Sequence, residues 1–478
     1  MDKLVRGTSR LTHFSFRKLL FSVLPDSKKK NFLEMEEEKM NSSMVVKHDK
    51  WGYPVTTSSD HCILSINLFY DQVLNYGRMR SVILEGPVCD EKCVLANILA
   101  AHFLSTSDSS KVPIYLAAAK AQLDNATSYE KAVFEVVSYL ISEDRDDDVA
   151  IELHFKLLKQ FPRDLVSLKR AQVLCFYMAR PDISLDLVKQ VLPDNQEENY
   201  IYGMLAFPLL ELGEMVAAQE AARKGLKINK SDLWSQHNLC HVLQYNCQFK
   251  EAVEFMEECS PSWTSCSSFM YTHNWWHVAL CYLDGNSPTS KVLEVYDHFI
   301  WKELQRSDAA SAEVYLNALA LLLRVDVRGQ MDYFEDRLNI VADCVKNKDM
   351  FNEREEAKVN AERNYEALYE YGKGSYEHAF GLLGPDFDAN YCKVIGASDE
   401  QIDVFNEVWY SILLNTGRNL KGMIATALPF SEFIAFTSHY WWFLIQQLKK
   451  FRSGLIKQKD YLFCGVCWYP VFLMYYHS

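Results

Sequence analysis

The chain has 478 residues, 49% hydrophobic and 24% charged, with 18 glycines and 13 prolines, the composition of a globular protein with few helix breakers. Its formal charge of -13 argues against duplex nucleic acid or an anionic membrane as the main partner, because binding there depends on neutralising phosphates with Lys and Arg. Thirteen cysteines, an odd number scattered along a long chain, are not a secreted disulfide framework and point to a reducing compartment, the cytoplasm.

Residues 1–44 read as a disordered or targeting-like extension. Within residues 1–32, Lys3, Arg6, Arg10, Arg17, Lys18 and the run Lys28 to Lys30 stand against Asp2 and Asp26, a bias shared with organelle transit peptides, so organelle import is the alternative to a cytoplasmic location. From about Cys62 to Trp301 apolar residues recur at helical spacing, and no convincing alternating strand pattern is present. The chain therefore reads as all-α.

The segment Asn199 to Asp232 is a helix-turn-helix unit of 34 residues, the length of a tetratricopeptide repeat. With Asn199 as position 1, Tyr202, Leu205, Ala206 and Leu209 fall at 4, 7, 8 and 11, Gly213 makes the turn, and Ala218 and Gly225 fall at 20 and 27, where helices approach closely. A shift by 34 places Leu239, Cys240, Leu243, Ala252, Met256 and Cys259 in matching slots of 233–266. Further units read at 131–164 and 272–305, with a degenerate copy from Leu165 to Pro193. Each unit leaves an apolar face that only a neighbour can cover. The predicted architecture over 45–425 is thus a tetratricopeptide-repeat-like α-solenoid, a right-handed superhelix of antiparallel helix pairs. Residues 426–478 form an atypical hydrophobic tail, whose apolar stretch "YLFCGVCWYPVFLMYY" is interrupted by Pro470 and is shorter than the roughly 20 residues a spanning helix needs.

The stretches "HNLCHVL", "EAVEFM", "HNWWHVALCYL", "VLEVYDHFIW" and "GASDEQIDVFNEVW" together resemble the tetratricopeptide repeat protein 38 family, as a plant-type member with atypical ends. The likeness runs from Val45 to Ala425. It implies the repeat fold but no activity, substrate or cofactor, since none is established for the family. The chain departs from the family pattern at the polar "KNKDMFNEREEAKVNAERN" and after Ala425.

The repeat register also locates candidate chemistry. Positions 2, 5 and 9 of a first helix face the concave groove of such an array, and Trp234, His237 and His241 occupy them. One repeat on, His273 and His277 form a second pair spaced i, i+4 beside Trp276. Three readings compete for these rings. They are packed core, they line a peptide groove together with Trp234, Trp276, Asn238 and Asn274, or the four histidines hold a metal. The pairs lack the Glu of H-E-x-x-H that would serve as a general base. No phosphate-binding Gly-rich loop or nucleophile elbow occurs, and Cys89/Cys93 and Cys464/Cys467 are isolated pairs. The sequence therefore predicts a non-enzymatic scaffold without a cofactor, binding a protein or peptide partner on its concave face. The alternative is a metal-binding protein or enzyme built on the two HxxxH pairs.

Overall fold

The computed structural model describes residues 45–306 continuously and, beyond them, residues 309, 312–328, 337, 340–341, 363, 366–389 and 399–418. The extension 1–44, most of the polar stretch 346–364 and the tail 426–478 lie outside the described residues. Contacts divide the chain into two compact units, one of Met1–Phe69 with Ser81–Glu143 and one of Tyr70–Arg80 with Asp144–Ser478.

The first unit opens with a small antiparallel hairpin, β1 (Val46–His48) and β2 (Pro54–Thr56), with Val46 opposite Thr56. Sequence periodicity misses it because three-residue strands are too short to display alternation. Helices α1 (Asp60–Leu74), α2 (Glu85–Cys89), α3 (Val94–Ser107), α4 (Val112–Gln122) and α5 (Ser128–Leu140) follow, with the last turn of α1 assigned to the second unit. Every residue from Val94 to Ala101 in α3 is buried, which makes α3 the core helix of this unit. Glu130 ties α5 to the hairpin: in a capping box with Thr127, its Oε2 also accepts from the Thr56 amide at 3.0 Å and the Thr56 hydroxyl at 2.7 Å.

The second unit is all-α. It contains α6 (Asp147–Gln160), α7 (Leu165–Tyr177), α8 (Pro181–Val191), α9 (Asn199–Glu211), α10 (Met215–Ile228), α11 (Leu233–Tyr245), α12 (Phe249–Cys259), α13 (Ser268–Asp284) and α14 (Thr289–Val295). A π-helical stretch, Tyr296–Trp301, continues α14, and α15 (Ala312–Val327), α16 (Tyr376–Leu383) and α17 (Asp399–Asn415) complete the described part. These helices stack as pairs of the tetratricopeptide type, and the solenoid reading of the sequence holds.

Local chemistry explains the 34-residue period. Asp164 caps α7 by accepting from the Ser167 amide, and Asp232 caps α11 through the Trp234 and Ser235 amides. Between the helices of successive pairs, Ala179, Gly213 and Cys247 turn the chain in the left-handed region, with φ of 53°, 80° and 56°. Only Gly213 lacks the Cβ that this conformation disfavours. The next left-handed residue is Asn286, off the strict period. The cause is the 3-10 segment Ser260–Ser265 and the Ser267 cap, which start α13 at Ser268 and lengthen it to 17 residues. The sequence register had started this helix near Thr272.

First helices of neighbouring pairs are joined by buried amides. Gln172 of α7 donates to the Met204 carbonyl of α9 at 2.8 Å, and Asn238 of α11 donates to the Gly203 carbonyl at 3.0 Å. Such contacts need small residues where helices meet. A Cβ on Gly225 would collide with the Ser235 hydroxyl and lie 3.2 Å from the Tyr202 Cβ. Gly225→Ala should therefore destabilise the protein by about 1–3 kcal/mol in urea unfolding, although alanine in an open helix would stabilise by about 1 kcal/mol. A gain in stability would show that α10 and α11 do not pack this closely.

Candidate metal centre

The two HxxxH pairs lie on α11 and α13, the first helices of consecutive pairs, and a spacing of four turns both rings of each pair to one face. Stacking of the pairs brings these faces together. One nitrogen from each of His237, His241, His273 and His277 lies within 4.8 Å of the others. Ring centroids are 4.3 Å apart for His241 and His277, 4.5 Å for His237 and His241, and 5.0 Å for His237 and His273. All four are buried, with exposures of 2%, 5%, 6% and 0% in chain order.

Amide side chains fix two of the rings. His277 Nδ1 lies 2.7 Å from Gln244 Oε1, and His273 Nδ1 lies 3.0 Å from Asn317 Oδ1. An amide oxygen only accepts, so both rings carry their proton on Nδ1 and turn the Nε2 lone pair inward. Asn317 is itself oriented, donating to the Phe269 carbonyl at 3.4 Å and Thr272 Oγ1 at 3.0 Å while Gln401 donates to its Oδ1 at 3.0 Å. Four helices thus set the geometry: α11 supplies His237, His241 and the amide of Gln244, α13 supplies His273 and His277, α15 supplies Asn317, and α17 supplies the Gln401 that orients Asn317. His241 Nε2 and His237 Nε2 are 3.0 Å apart, sharing one proton between them. Flat rings fill the flanks, Trp234 stacking on His237 at 4.7 Å and Trp276 on His273 at 5.5 Å.

Burial, then the neighbouring imidazoles His241 and His273, holds His237 well below the ordinary histidine range, and Lys169 adds to the effect. Burial likewise depresses His277, with His241, His273 and His237 contributing. Both are neutral imidazoles at physiological pH, the form that binds metals. His277 Nε2 has no hydrogen-bond partner, nor have His237 Nδ1 or either amide atom of the adjacent, fully buried Asn274. Asn274 lies close enough to act on the His237 ring and could accept from its Nδ1 once both Nε2 atoms turn to an ion.

The donor set fits a borderline transition metal. Tetrahedral zinc with Zn–N of 2.0–2.1 Å needs nitrogen pairs about 3.4 Å apart. The four nitrogens lie within 4.8 Å of one another before any ion draws them in. Four imidazoles without a carboxylate select zinc, copper, nickel or iron over magnesium or calcium.

Of the residues singled out for a groove, Trp234 is half-buried, while His237, Asn238, His241, His273, Asn274, Trp276 and His277 are buried. Asn238 is already engaged, donating to the Gly203 and Trp234 carbonyls, and so does not present its amide to a partner's backbone. Sequence reasoning missed Gln244, Asn317 and Gln401. Asn317 did leave a signal, as the lone polar side chain in the apolar run "VYLNALALLL". Cys89 is exposed and Cys93 buried, and Cys464 and Cys467 lie outside the described residues.

No family model matches the chain. Among solved structures it is similar to a Rap protein complexed with competence and sporulation factor, at 12% identity and a TM-score of 0.39, over 73% of this chain and 100% of that one. It is also similar to the human IFIT1 dimer with m7Gppp-AAAA, at 12% identity and a TM-score of 0.42, over 84% of this chain and 91% of that one. Likenesses this distant carry no argument about what the chain binds. No described helix is long and apolar enough to cross a membrane.

The depressed histidines make stability depend on pH with a definite sign. In the metal-free protein His237 and His277 refuse protons that the unfolded chain accepts below about pH 6.5. The stability they contribute is therefore complete above that value and lost as pH falls below it. Between pH 7.5 and 5.5 each such ring should cost about 1.4 kcal/mol of unfolding free energy. His277→Gln should lose correspondingly less than the wild type over that interval. Equal losses in the two proteins would mean that His277 is not held neutral.

Proposed function

We propose that the chain is a metal-binding helical-repeat protein, with His237, His241, His273 and His277 as ligands of one borderline divalent ion, zinc being the representative case. The observation that carries this reading is the convergence of four buried imidazole nitrogens within 4.8 Å, two of them with Nδ1 held by amide oxygens so that Nε2 turns inward. Histidine ligands are oriented in this way by partners behind them. Four protein ligands leave no open position for substrate, which favours a structural role over catalysis. The ion would cross-link α11 to α13 and, through Asn317 and Gln401, hold α15 and α17 against them. The chain is accordingly proposed not to be an enzyme.

A peptide groove made of the same residues would require solvent-facing rings, and the burial of the imidazoles disfavours it. A protein partner, the general use of helical-repeat arrays, would then engage other parts of the helical surface. The motifs that suggest kinship with the tetratricopeptide repeat protein 38 family, "HNLCHVL" and "HNWWHVALCYL", are the ones that carry the imidazoles, so the proposal extends to chains sharing both.

Zinc titration of the full chain, purified without a histidine tag and stripped by chelator, tests the proposal. One equivalent should bind and raise the melting temperature. His241→Ala and His277→Ala should each abolish stoichiometric binding, and Asn317→Leu should weaken it about 10–100-fold. Stoichiometric binding that survives both histidine substitutions, or none in the wild type, would refute the assignment.

A further inference from the structure

A second cluster of polar groups lies in the same unit and contributes no ligand to the imidazole site. Lys169 of α7 is only 8% exposed. Its Nζ donates to the Tyr76 hydroxyl and lies 4.0 Å from the centroid of the Tyr76 ring and 4.3 Å from that of Trp234. Arg80 is near enough that its charge depresses the Lys169 ammonium, after burial itself. Among the described residues neither cation forms an ion pair, and Arg80 Nε is buried without a hydrogen-bond partner. The carboxylate that acts on Lys169 is Asp232, and its oxygens are committed to the α11 cap and the Ser235 hydroxyl.

A buried cation and a half-buried one whose Nε is buried are costly without a counter-ion, because desolvation is not offset by attraction. The fold nevertheless keeps Lys169 against the Tyr76 and Trp234 rings, beside a strained stretch of backbone. Tyr76 has a φ of 53°, an uncommon conformation for a bulky residue. Flanking contacts enforce it: the Tyr76 carbonyl accepts from the Ser267 amide at 2.6 Å, Gly77 bridges to Cys266, and Arg78 pairs with Glu303 at 2.7 Å. Strain kept in place by surrounding contacts is typical of ligand sites. Tyr76, Arg80 and Trp234 are half-buried, so the cluster borders solvent on their side, with Lys169 buried behind them.

We propose that Tyr76, Arg80, Lys169 and Trp234 form a binding site for a small oxyanion, the carboxylate or phosphate group of a small-molecule ligand. The Arg80 fork meets two oxygens, Lys169 supplies a point charge and Tyr76 a hydroxyl donor. The Trp234 face packs the ligand's organic part. The site is independent of the metal reading, although Trp234 also stacks on His237.

Calorimetric titration of the full chain with inorganic phosphate and, separately, with succinate tests this. Saturable one-to-one binding of either probe is expected, weakened about tenfold or more by Lys169→Met and by Arg80→Gln, since each removes a charged hydrogen bond. Zinc content should be unchanged in Arg80→Gln, which separates failure here from failure of the metal assignment. Response to phosphate alone identifies a phosphate site, and response to succinate alone a carboxylate site. Failure of both probes to saturate below about 10 mM, or equal affinity in the variants, overturns the proposal. Arg80→Gln, at a half-buried position, keeps the test decisive if Lys169→Met does not fold.

Discussion

A helix pair cannot bury its own apolar face, and the rest of the second unit depends on that constraint. Neighbouring pairs must supply the cover, so first helices are driven against first helices at a fixed interval. The interval is written in small features: an acidic cap at Asp164 and Asp232, left-handed turns at Ala179, Gly213 and Cys247, and Gly225 where α10 meets α11. Once α11 and α13 are packed, what their facing sides carry has no choice but to meet. They carry four histidines.

That meeting is expensive unless something compensates for it. Polar atoms left unpaired in a protein interior cost about 1–3 kcal/mol each. Around the imidazoles, His237 Nδ1, His277 Nε2, both amide atoms of Asn274 and Trp276 Nε1 are in that state. A metal would take up the lone pairs, and rotation of Asn274 toward His237 would answer two more. Gln244 and Asn317 are already in place and hold their rings in the tautomer a ligand needs. The arrangement has the character of a preformed centre whose polar groups are satisfied only when an ion is bound. The Lys169 and Arg80 cluster repeats the pattern with the opposite preference, as a buried and a half-buried positive group that an anion would complete.

Much of the fold is legible in the sequence because a repeat writes its packing several times over. Leu205, Ala206 and Gly225 each announce a contact that Leu239, Cys240 and Cys259 announce again. The i, i+4 spacing also places each histidine pair on one face. Whether the two pairs converge, and whether they face a groove or the interior, is another matter. That depends on α13 starting at its Ser267 cap after the 3-10 segment Ser260–Ser265, a shift that the register cannot supply. Two of the amides behind the rings come from distant helices, with Asn317 44 residues from His273 and Gln401 84 residues from Asn317. Tyr76 reaches Lys169 across 93 residues. Local periodicity has no access to such pairings, and three-residue strands such as β1 and β2 are invisible to it.

X-ray absorption at the zinc edge of the zinc-loaded full chain tests the central claim most directly, because it reads the ligand atoms themselves. Four nitrogen scatterers at about 2.0–2.1 Å, with the multiple-scattering signature of imidazole and no sulfur, are the predicted result. Sulfur at about 2.3 Å, or a shell dominated by oxygen with fewer than three imidazoles, would place the ion elsewhere and leave the four histidines as packed core.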